Sequence, residues 1–371
     1  MENQRLGNRK KIIVVVGTRP NFIKITQFEK AFKPFEDKFD YQLVHTGQHF
    51  DHKMSEVFFD KLKLKAPDFN LSISESDRGV RLHKMTFELE QLFESEAPHL
   101  VMVVGDVDST LAAARAAKSK GIQIAHVESG LRSFDLEMPE EVNRIEVDQL
   151  ADYLFVTEQS GLDNLRKEGR NESSIFFVGN TMIDTLVAYQ KEIEKAKILN
   201  DLNISQGDYI LTTLHRPRNV DQVDQLKKVV QILEYLANEK KIVMPLHPRT
   251  KDNFEAINLS EQLQSNLIIT EPLDYLAFQK LIAHAHFVLT DSGGIQEETT
   301  FRKVPCITLR PNTERPSTID CGGNQLVEID LDKIKLAIEK TSKLDSTQLT
   351  IPPLWDGQSS QRIANTLDSI L

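Results

Sequence analysis

Short apolar runs rich in β-branched residues recur along this 371-residue chain, each followed by a polar or glycine-containing turn and a segment with helical spacing. Buried parallel strands read as continuous apolar runs, and crossover helices must connect them. The pattern therefore predicts an α/β fold with parallel sheets. The runs are Ile12–Val16, Tyr41–His45, Leu100–Val104, Ile122–Val127, Tyr153–Val156 and Ile175–Val178, then Tyr209–Leu214, Ile242–Leu246, Leu267–Thr270, Phe287–Thr290 and Pro305–Leu309.

Helices are predicted between these strands, and the two series of strands indicate two domains. The helices are Met54–Leu62, Lys84–Glu94, Thr110–Lys118, Gln159–Glu168, Val223–Asn238, Tyr275–His284 and Ile295–Thr300. We interpret the polar stretch Tyr189–Ser205 as the end of a helix followed by an interdomain link. We predict Rossmann-like, doubly wound domains at residues 1–190 and 205–355 that face a cleft, and a C-terminal tail at 356–371 that packs back on the N-terminal domain. Ligands of such sheets bind beyond the carboxyl ends of the strands.

Charge and composition exclude several classes of partner. The chain has 45 Lys and Arg against 55 Asp and Glu, a net charge of -10, so anionic nucleic acids and membrane surfaces are repelled. Cys306 and Cys321 are too few for a disulfide framework. The run Ile12–Val16 is too short for a signal peptide or a membrane span. A cytoplasmic protein with neither a nucleic-acid nor a membrane partner is predicted.

Two loops after predicted strands suit an anion such as a phosphate. The first, Gly17–Lys24, opens a helix and contains the cations Arg19 and Lys24. The second places Ser292, Gly293 and Gly294 directly before a helix. Neither is a Walker loop, and the dinucleotide-binding glycine pattern is absent. The alternative for the first loop is an ordinary turn whose arginine pairs with a surface carboxylate.

Carboxylates are concentrated after two strands of the first half. Asp106 and Asp108 follow one strand, Glu128 follows the next, and Glu140 and Glu141 come beyond a loop with a proline. Carboxyl groups that share a cleft shift one another's pKa values, which allows one to be protonated while another is ionised. A reaction that removes a proton in one step and returns a proton in another needs such a pair of groups. The alternative is a set of surface carboxylates and helix caps, and for Asp108 we predict a helix cap.

Histidines and a further carboxylate complete the candidate set. His215 and His247 each follow a strand of the second half and stand beside arginines, which favours an anion-lined cleft. Glu297 and Glu298 either complement the dipole of their helix, or one of them binds a ribose diol. The spacing of His45, His49 and His52 matches no standard zinc pattern, so we expect no metal ion and no cofactor. A nucleotide-sugar enzyme fits the whole pattern best.

The ordered motifs closely resemble the non-hydrolysing UDP-N-acetylglucosamine 2-epimerase family over roughly residues 12 to 330. They are Gly17–Pro20, His45–Asp51, Gly105–Asp106, His126–Asp135, Met138–Arg144, Thr213–Arg216, Thr290–Glu298 and Thr313–Pro316. The resemblance implies a GT-B-like fold, a homodimer, and interconversion of UDP-N-acetylglucosamine and UDP-N-acetylmannosamine through elimination of UDP to 2-acetamidoglucal and its re-addition.

The resemblance also implies the site residues. Asp106, Glu128 and Glu140 correspond to acid or base carboxylates, and His215 to an essential histidine near the pyrophosphate. Phe278 corresponds to an aromatic that stacks on uracil, where the alternative is a helix-core residue. The implied UDP ligands are Arg19, Lys24, Ser292, Gly293, Gly294, Glu298 and Arg315.

Four other functions compete with this interpretation. A sister epimerase of UDP-2,3-diacetamido-2,3-dideoxyglucuronate shares the pattern from Ser133 to Glu141. A hydrolysing epimerase differs at the first loop, and a glycosyltransferase shares the fold without needing three cleft carboxylates. A catalytically silent nucleotide-sugar sensor would lose Asp106, Glu128, Glu140 and His215, all of which are present here.

Overall fold

A computed structural model of the protein describes residues 9–47, 62, 64–246, 259–345 and 347–371. The predicted helix Met54–Leu62, apart from Leu62, lies outside the described residues, and so do His49, His52 and His247. The chain divides into two compact units. The first consists of Met1–Ala188 together with Pro353–Leu371, and the second of Tyr189–Pro352.

The first unit is built on a parallel sheet of seven strands in the order β3-β2-β1-β4-β5-β6-β7. The strands are β1 (Lys10–Val16), β2 (Phe39–His45), β3 (Phe69–Asn70), β4 (Leu100–Val104), β5 (Gln123–Ser129), β6 (Tyr153–Val156) and β7 (Ile175–Phe177). The central strands β1 and β4 are almost wholly buried. The order in which strands are added to the sheet reverses between them: β2 and β3 lie on one side of β1, and β4 to β7 lie on the other. Ligands of such sheets bind beyond the carboxyl ends of the strands at this point.

Helices of the first unit cross over between these strands. They are α1 (Arg19–Ile25), α2 (Phe28–Phe32), α3 (Arg78–Glu96), α4 (Asp108–Ser119), α5 (Pro139–Leu150), α6 (Gln159–Lys167) and α7 (Thr181–Ala188). Helix α4 buries a face of alanines, whose small side chains let it pack closely on the sheet.

The second unit has a parallel sheet of six strands in the order β10-β9-β8-β11-β12-β13. Its strands are β8 (Tyr209–Thr213), β9 (Lys241–Pro245), β10 (Leu267–Thr270), β11 (Val288–Thr290), β12 (Cys306–Thr308) and β13 (Asn324–Leu326). Its helices are α8 (Gln190–Lys195), α9 (Ile198–Asp201), α10 (Pro217–Val220), α11 (Val223–Ala237), α12 (Glu261–Asn266), α13 (Tyr275–His284), α14 (Gly293–Arg302), α15 (Ser317–Asp320) and α16 (Leu331–Ser342). The predicted fold class of two Rossmann-like α/β domains is confirmed.

Some elements differ from the sequence-based expectation. All eleven apolar runs coincide with strands, but the short strands β3 and β13 were not predicted, and neither were several helices, including α5 and α16. The segment interpreted as an interdomain link contains helices α8 and α9 of the second unit, because Ile193 and Ile198 are buried there. Within the described residues, no helix combines the length and apolarity needed to span a membrane.

The end of the chain belongs to the first unit. Helix α17 (Ser359–Ile370) begins where the carboxylate of Asp184 accepts hydrogen bonds from the backbone N–H groups of Ser359 at 3.0 Å and Ser360 at 2.6 Å. Trp355 is buried and its Nε1 donates to the carbonyl oxygen of Thr157 at 2.9 Å. Both contacts satisfy buried polar groups, so the segment is an integral part of this unit.

Candidate active site

The first loop is held at the carboxyl edge of the first sheet by Asn21. Its Nδ2 donates to the carbonyl oxygen of Val104 at 2.8 Å, and its Oδ1 accepts from the backbone N–H of Thr18 at 3.2 Å. Gly17 has no room for a side chain, because a Cβ there would lie 2.4 Å from Ser109 Oγ. The loop is therefore fixed against β4. Sequence reasoning did not single out Asn21, whose partner is distant in the chain.

Lys24 and Glu128 form a buried ion pair. The Nζ of Lys24 lies 2.5 Å from Oε2 of Glu128, with side-chain exposures of 6% and 3%. Glu128 has a left-handed backbone with φ of 75°, next to a register irregularity between Val127 and Ser129. Arg19, at the start of the same helix as Lys24, is exposed. The structure thus places the predicted phosphate cation Lys24 against a predicted catalytic carboxylate.

Asp106 is held by Arg144 at the neighbouring strand end. One guanidinium nitrogen of Arg144 contacts Asp106 Oδ2, and the other lies 2.6 Å from Oε2 of Glu141. Glu141 is fully buried and accepts hydrogen bonds from the backbone N–H groups of Ser133 and Phe134, both at 2.9 Å. Glu141 therefore shapes the loop after β5, whereas Glu140, one residue earlier, is exposed in the first turn of α5.

The prediction that Asp108 caps its helix is wrong. The cap position is occupied by Val107, and Asp108 is the first residue of α4. Its carboxylate pairs instead with Arg78 and Arg81, each at 2.9 Å. Burial alone would raise the pKa of Asp108, but the hydrogen bonds from Arg81 and Arg78 lower it below its usual value.

His215 and Asp291 form the corresponding pair in the second unit. The Nδ1 of His215 donates to Asp291 Oδ1 at 2.7 Å, while Asp291 also accepts from the backbone N–H of Arg216 and from Asn219 Nδ2, both at 2.9 Å. Burial raises the pKa of Asp291, but its contact with His215 lowers it overall. This arrangement leaves Nε2 of the largely exposed His215 as the nitrogen that can exchange a proton with a ligand. Asp291 was not among the predicted site residues, although its position directly after β11 was a signal.

The turn at Ser292 and Gly293 packs against a buried charge cluster. A Cβ on Gly293 would lie 2.7 Å from Glu314 Oε1 and 3.0 Å from Arg315 Nη1. Arg315 pairs with both Glu314 and Glu297, the latter at 2.9 Å. Ser292 occupies the cap position of α14, so the amides of this turn and of Gly294 lie at a helix N-terminus, which is suited to an anion. The structure brings together the predicted residues Ser292, Gly293, Gly294 and Arg315.

Glu298 and Phe278 lie on two helices of the second unit. Glu298 is 4% exposed on α14, and its charge adds to the effect of burial in raising the pKa of Tyr275 on α13. Phe278 is partly buried and packs against the apolar cluster that contains Leu281 and Ile282. That packing accords with the helix-core alternative, and Phe278 as a whole is only partly buried.

Of the three histidines considered for a metal site, His45, His49 and His52, only His45 is among the described residues. This residue is fully buried beside Phe22, with ring centroids 5.1 Å apart, and burial lowers its pKa to about 4. Among the residues that the structure describes, no group of three or more His, Cys, Asp or Glu side chains is placed to hold a metal ion.

Two parallel sheets, each with charged side chains at the carboxyl ends of its strands, define the class of two-domain Rossmann-like α/β proteins. A family model described as UDP-N-acetylglucosamine 2-epimerase matches residues 33–368. The chain belongs to the UDP-N-acetylglucosamine 2-epimerase family.

Relatives of known name agree with this assignment. The UDP-N-acetylglucosamine 2-epimerase of Methanocaldococcus jannaschii is 40% identical, over 96% of this chain and 98% of the relative. The UDP-2,3-diacetamido-2,3-dideoxy-D-glucuronate 2-epimerase of Pseudomonas aeruginosa is 39% identical, over 96% of this chain and 99% of its own. The crystal structure of the M. jannaschii enzyme in complex with UDP-GlcNAc and UDP superposes with a TM-score of 0.88 at 39% identity, covering 97% of this chain and 99% of that chain. The fold is thus GT-B-like, as expected from the sequence.

Proposed function

We propose that this protein interconverts UDP-N-acetylglucosamine and UDP-N-acetylmannosamine by inverting C2 of the sugar, without releasing free sugar. The observation that carries the proposal is the pairing of Glu128 with Lys24 and of Asp106 with Arg144 at the ends of adjoining strands. Proton transfer at carbon requires an acid or base held in a fixed place, and carboxylates can serve in both roles. The names of the relatives supply the substrate class.

The proposed reaction is an elimination followed by an addition. A carboxylate takes the C2 proton, the electrons of the C2–H bond form a C1=C2 double bond, and the C1–O bond electrons leave with UDP. The intermediate is 2-acetamidoglucal. Returning a proton to the opposite face of C2 while UDP re-adds at C1 gives the epimer, so atoms and electrons balance. Cations and amides that hold the pyrophosphate would stabilise the leaving group.

Roles are proposed for individual residues on this basis. Asp106, Glu128 and Glu140 form the acid and base set, and His215, oriented by Asp291, acts beside the pyrophosphate. The remaining proposed residues bind UDP: Arg19, Lys24, Phe278, Ser292, Gly293, Gly294, Glu298 and Arg315. The helix N-terminus behind Ser292 supports the pyrophosphate part of this assignment.

A second candidate substrate is UDP-2,3-diacetamido-2,3-dideoxyglucuronate. It is favoured by the P. aeruginosa relative, whose identity to this chain differs by a single percentage point from that of the M. jannaschii relative. The C2 chemistry is the same for both sugars, and the groups that distinguish them are at C3 and C6. We further propose, on the family resemblance, a cytoplasmic homodimer that serves the synthesis of cell-surface polysaccharide.

Proton NMR of the reaction in deuterium oxide tests the proposal. The protein is incubated with UDP-N-acetylglucosamine, and the C2 and anomeric signals are followed over time. We expect UDP-N-acetylmannosamine with deuterium at C2. Free N-acetylmannosamine together with UDP would identify a hydrolysing enzyme instead. Turnover of only the diacetamido uronate sugar would establish the second candidate, and reaction of neither sugar would favour a sensor.

A further inference from the structure

Helix α5 presents a buried stripe of charged residues to the ends of β4 and β5. Glu141, Arg144 and Asp148 are separated by three and four residues, which places them on one helix face, and none is more than 3% exposed. We call these three residues the α5 charged stripe. Buried charges are costly unless each is paired, so the contacts of the stripe decide what it does. Glu141 and Arg144 hold the loop after β5 and the side chain of Asp106, as described above.

Asp148 makes the remaining contacts of the stripe. Its Oδ1 lies 2.6 Å from Nδ1 of His126, and its Oδ2 accepts from the backbone N–H of Gly130 at 3.0 Å. Its Oδ2 also lies 2.7 Å from Nη1 of Arg132, whose guanidinium binds Glu168 on its other side. Burial would raise the pKa of Asp148, but His126 and Arg132 lower it overall, so Asp148 is an ionised acceptor.

His126 extends this network to the neighbouring strand end. Its Nε2 lies 2.9 Å from the carbonyl oxygen of Gly105. A carbonyl oxygen only accepts hydrogen bonds, so Nε2 carries a proton. Gly105 directly precedes Asp106, and Glu128 lies two residues beyond His126. One buried imidazole therefore connects the two turns that carry the proposed catalytic carboxylates.

Gly130 provides the other connection. It has a φ of 81°, and a Cβ there would lie 2.4 Å from the carbonyl oxygen of Gly161. Glu128, two residues earlier, has a left-handed conformation that a residue with a side chain keeps only when its surroundings hold it there. Asp148 contacts His126 two residues before Glu128 and Gly130 two residues after it, so it holds this turn on both sides of Glu128.

We infer that Asp148 is a positioning residue for C2 proton transfer, because through His126 and Gly130 it fixes the turns bearing Asp106 and Glu128 relative to each other. The inference rests on the proposed function of those two carboxylates. Asp148 does not touch the reacting atoms in this scheme. Its effect is geometric, and a displacement of about 1 Å in a catalytic group costs about 100-fold in rate.

The variant Asp148→Asn tests the inference because it keeps the shape of the side chain and removes its charge. We expect kcat to fall by about 100-fold, while KM and the Kd for UDP stay within about two-fold. The variant loses the exact positioning of the catalytic carboxylates, which matters in the transition state and not in UDP binding. His126→Gln should lose a similar factor. The double variant should lose little more than either single one, because both act in one unit. Glu146→Gln is the matched control on the same helix, where it breaks an ion pair with Arg115, and should retain full kcat.

Each other outcome has a definite meaning. A folded Asp148→Asn protein with kcat within about three-fold of wild type overturns the inference. So does a loss of kcat that is matched by an equal loss of UDP affinity. If neither variant folds, NMR of wild-type protein with ¹⁵N-labelled histidine decides, because the structure predicts that both ring nitrogens of His126 are hydrogen-bonded, Nδ1 to Asp148 and Nε2 to the carbonyl oxygen of Gly105. Absence of either hydrogen bond overturns the inference. Wild-type protein that converts neither UDP sugar overturns the proposed function itself, and this assay is made first.

Discussion

The ammonium nitrogen of Lys24 lies 2.5 Å from Oε2 of Glu128, and both side chains are buried. The contact joins helix α1 to the end of β5, which are far apart in sequence. A proposed UDP ligand and a proposed proton carrier thus form one ionic unit. Any change to either residue must be assessed for its effect on the other, because removing one partner takes away an opposite charge that offsets the burial of the other.

Replacement of Glu128 by glutamine should separate binding from chemistry. The amide cannot take up a proton from C2, so we expect turnover to fall by at least about 1,000-fold. Calorimetry should show that UDP still binds, with an affinity no weaker than that of the wild type, because Lys24 loses its carboxylate partner and stays available to the anion. Glu137→Gln alters an exposed carboxylate before α5 and should retain wild-type turnover. Normal turnover in the Glu128→Gln variant would refute the catalytic assignment.

Loss of Lys24 should destabilise the fold through Glu128. We expect Lys24→Met to lower the free energy of unfolding by about 3 kcal/mol, because it removes the ammonium group that lies against a buried carboxylate. The double variant Lys24→Met/Glu128→Gln should recover much of this loss, since both charges are gone. Urea denaturation of the two single variants and the double variant measures the coupling. Strictly additive losses would mean that the pair does not act as a unit.

An added methyl group at Gly293 should weaken UDP binding. Alanine there would place its Cβ 2.7 Å from Glu314 Oε1, so the Glu314–Arg315 pair must shift. We expect Kd for UDP to rise about 10-fold, which corresponds to about 1.4 kcal/mol. Gly323→Ala is the control, because its Cβ would meet Leu349 at an ordinary 3.7 Å and should leave affinity unchanged. Equal affinities in both variants, measured by calorimetry, would remove this turn from the UDP site.

Asp291 should make the stability of the protein dependent on pH in the acid range. Contact with His215 lowers the folded-state pKa of Asp291, so the unfolded chain binds this proton more readily. The stabilisation is therefore present above the ordinary Asp value of about 3.9 and is lost as the pH falls through the lowered folded value. We expect Asp291→Asn to flatten this part of the curve of unfolding free energy against pH. Wild-type and variant curves that stay parallel between about pH 5 and pH 2 would contradict the prediction.

The strands were predictable from sequence because they are buried on both faces. Val14 and Met102, for example, lie in central parallel strands whose buried positions are all apolar, so the run itself marks the strand. Strand β3 has only two residues, Phe69 and Asn70, and is defined by pairing with β2, which no local pattern shows. Helix α5 carried local signals that were not used, namely Pro139 at its start and acidic residues in its first turn.

The pairing of site residues was not predictable in the same way. Sequence placed Lys24 in a basic loop and Glu128 after a strand, but only the sheet order brings them into contact. For Asp108, position before an alanine-rich helix suggested a cap, whereas the arginines of α3 take its carboxylate. A local pattern gives the kind of residue at a strand end, and tertiary structure decides its partner.

The return of Pro353–Leu371 to the first unit makes the second unit an insertion within the first. During synthesis the ribosome must therefore release the chain beyond Ser360 before Asp184 can meet the N–H groups of Ser359 and Ser360. The second unit is contiguous and can fold while the first is still open. The first unit is thus completed after the second, and a truncation that removes Pro353–Leu371 destabilises the first unit.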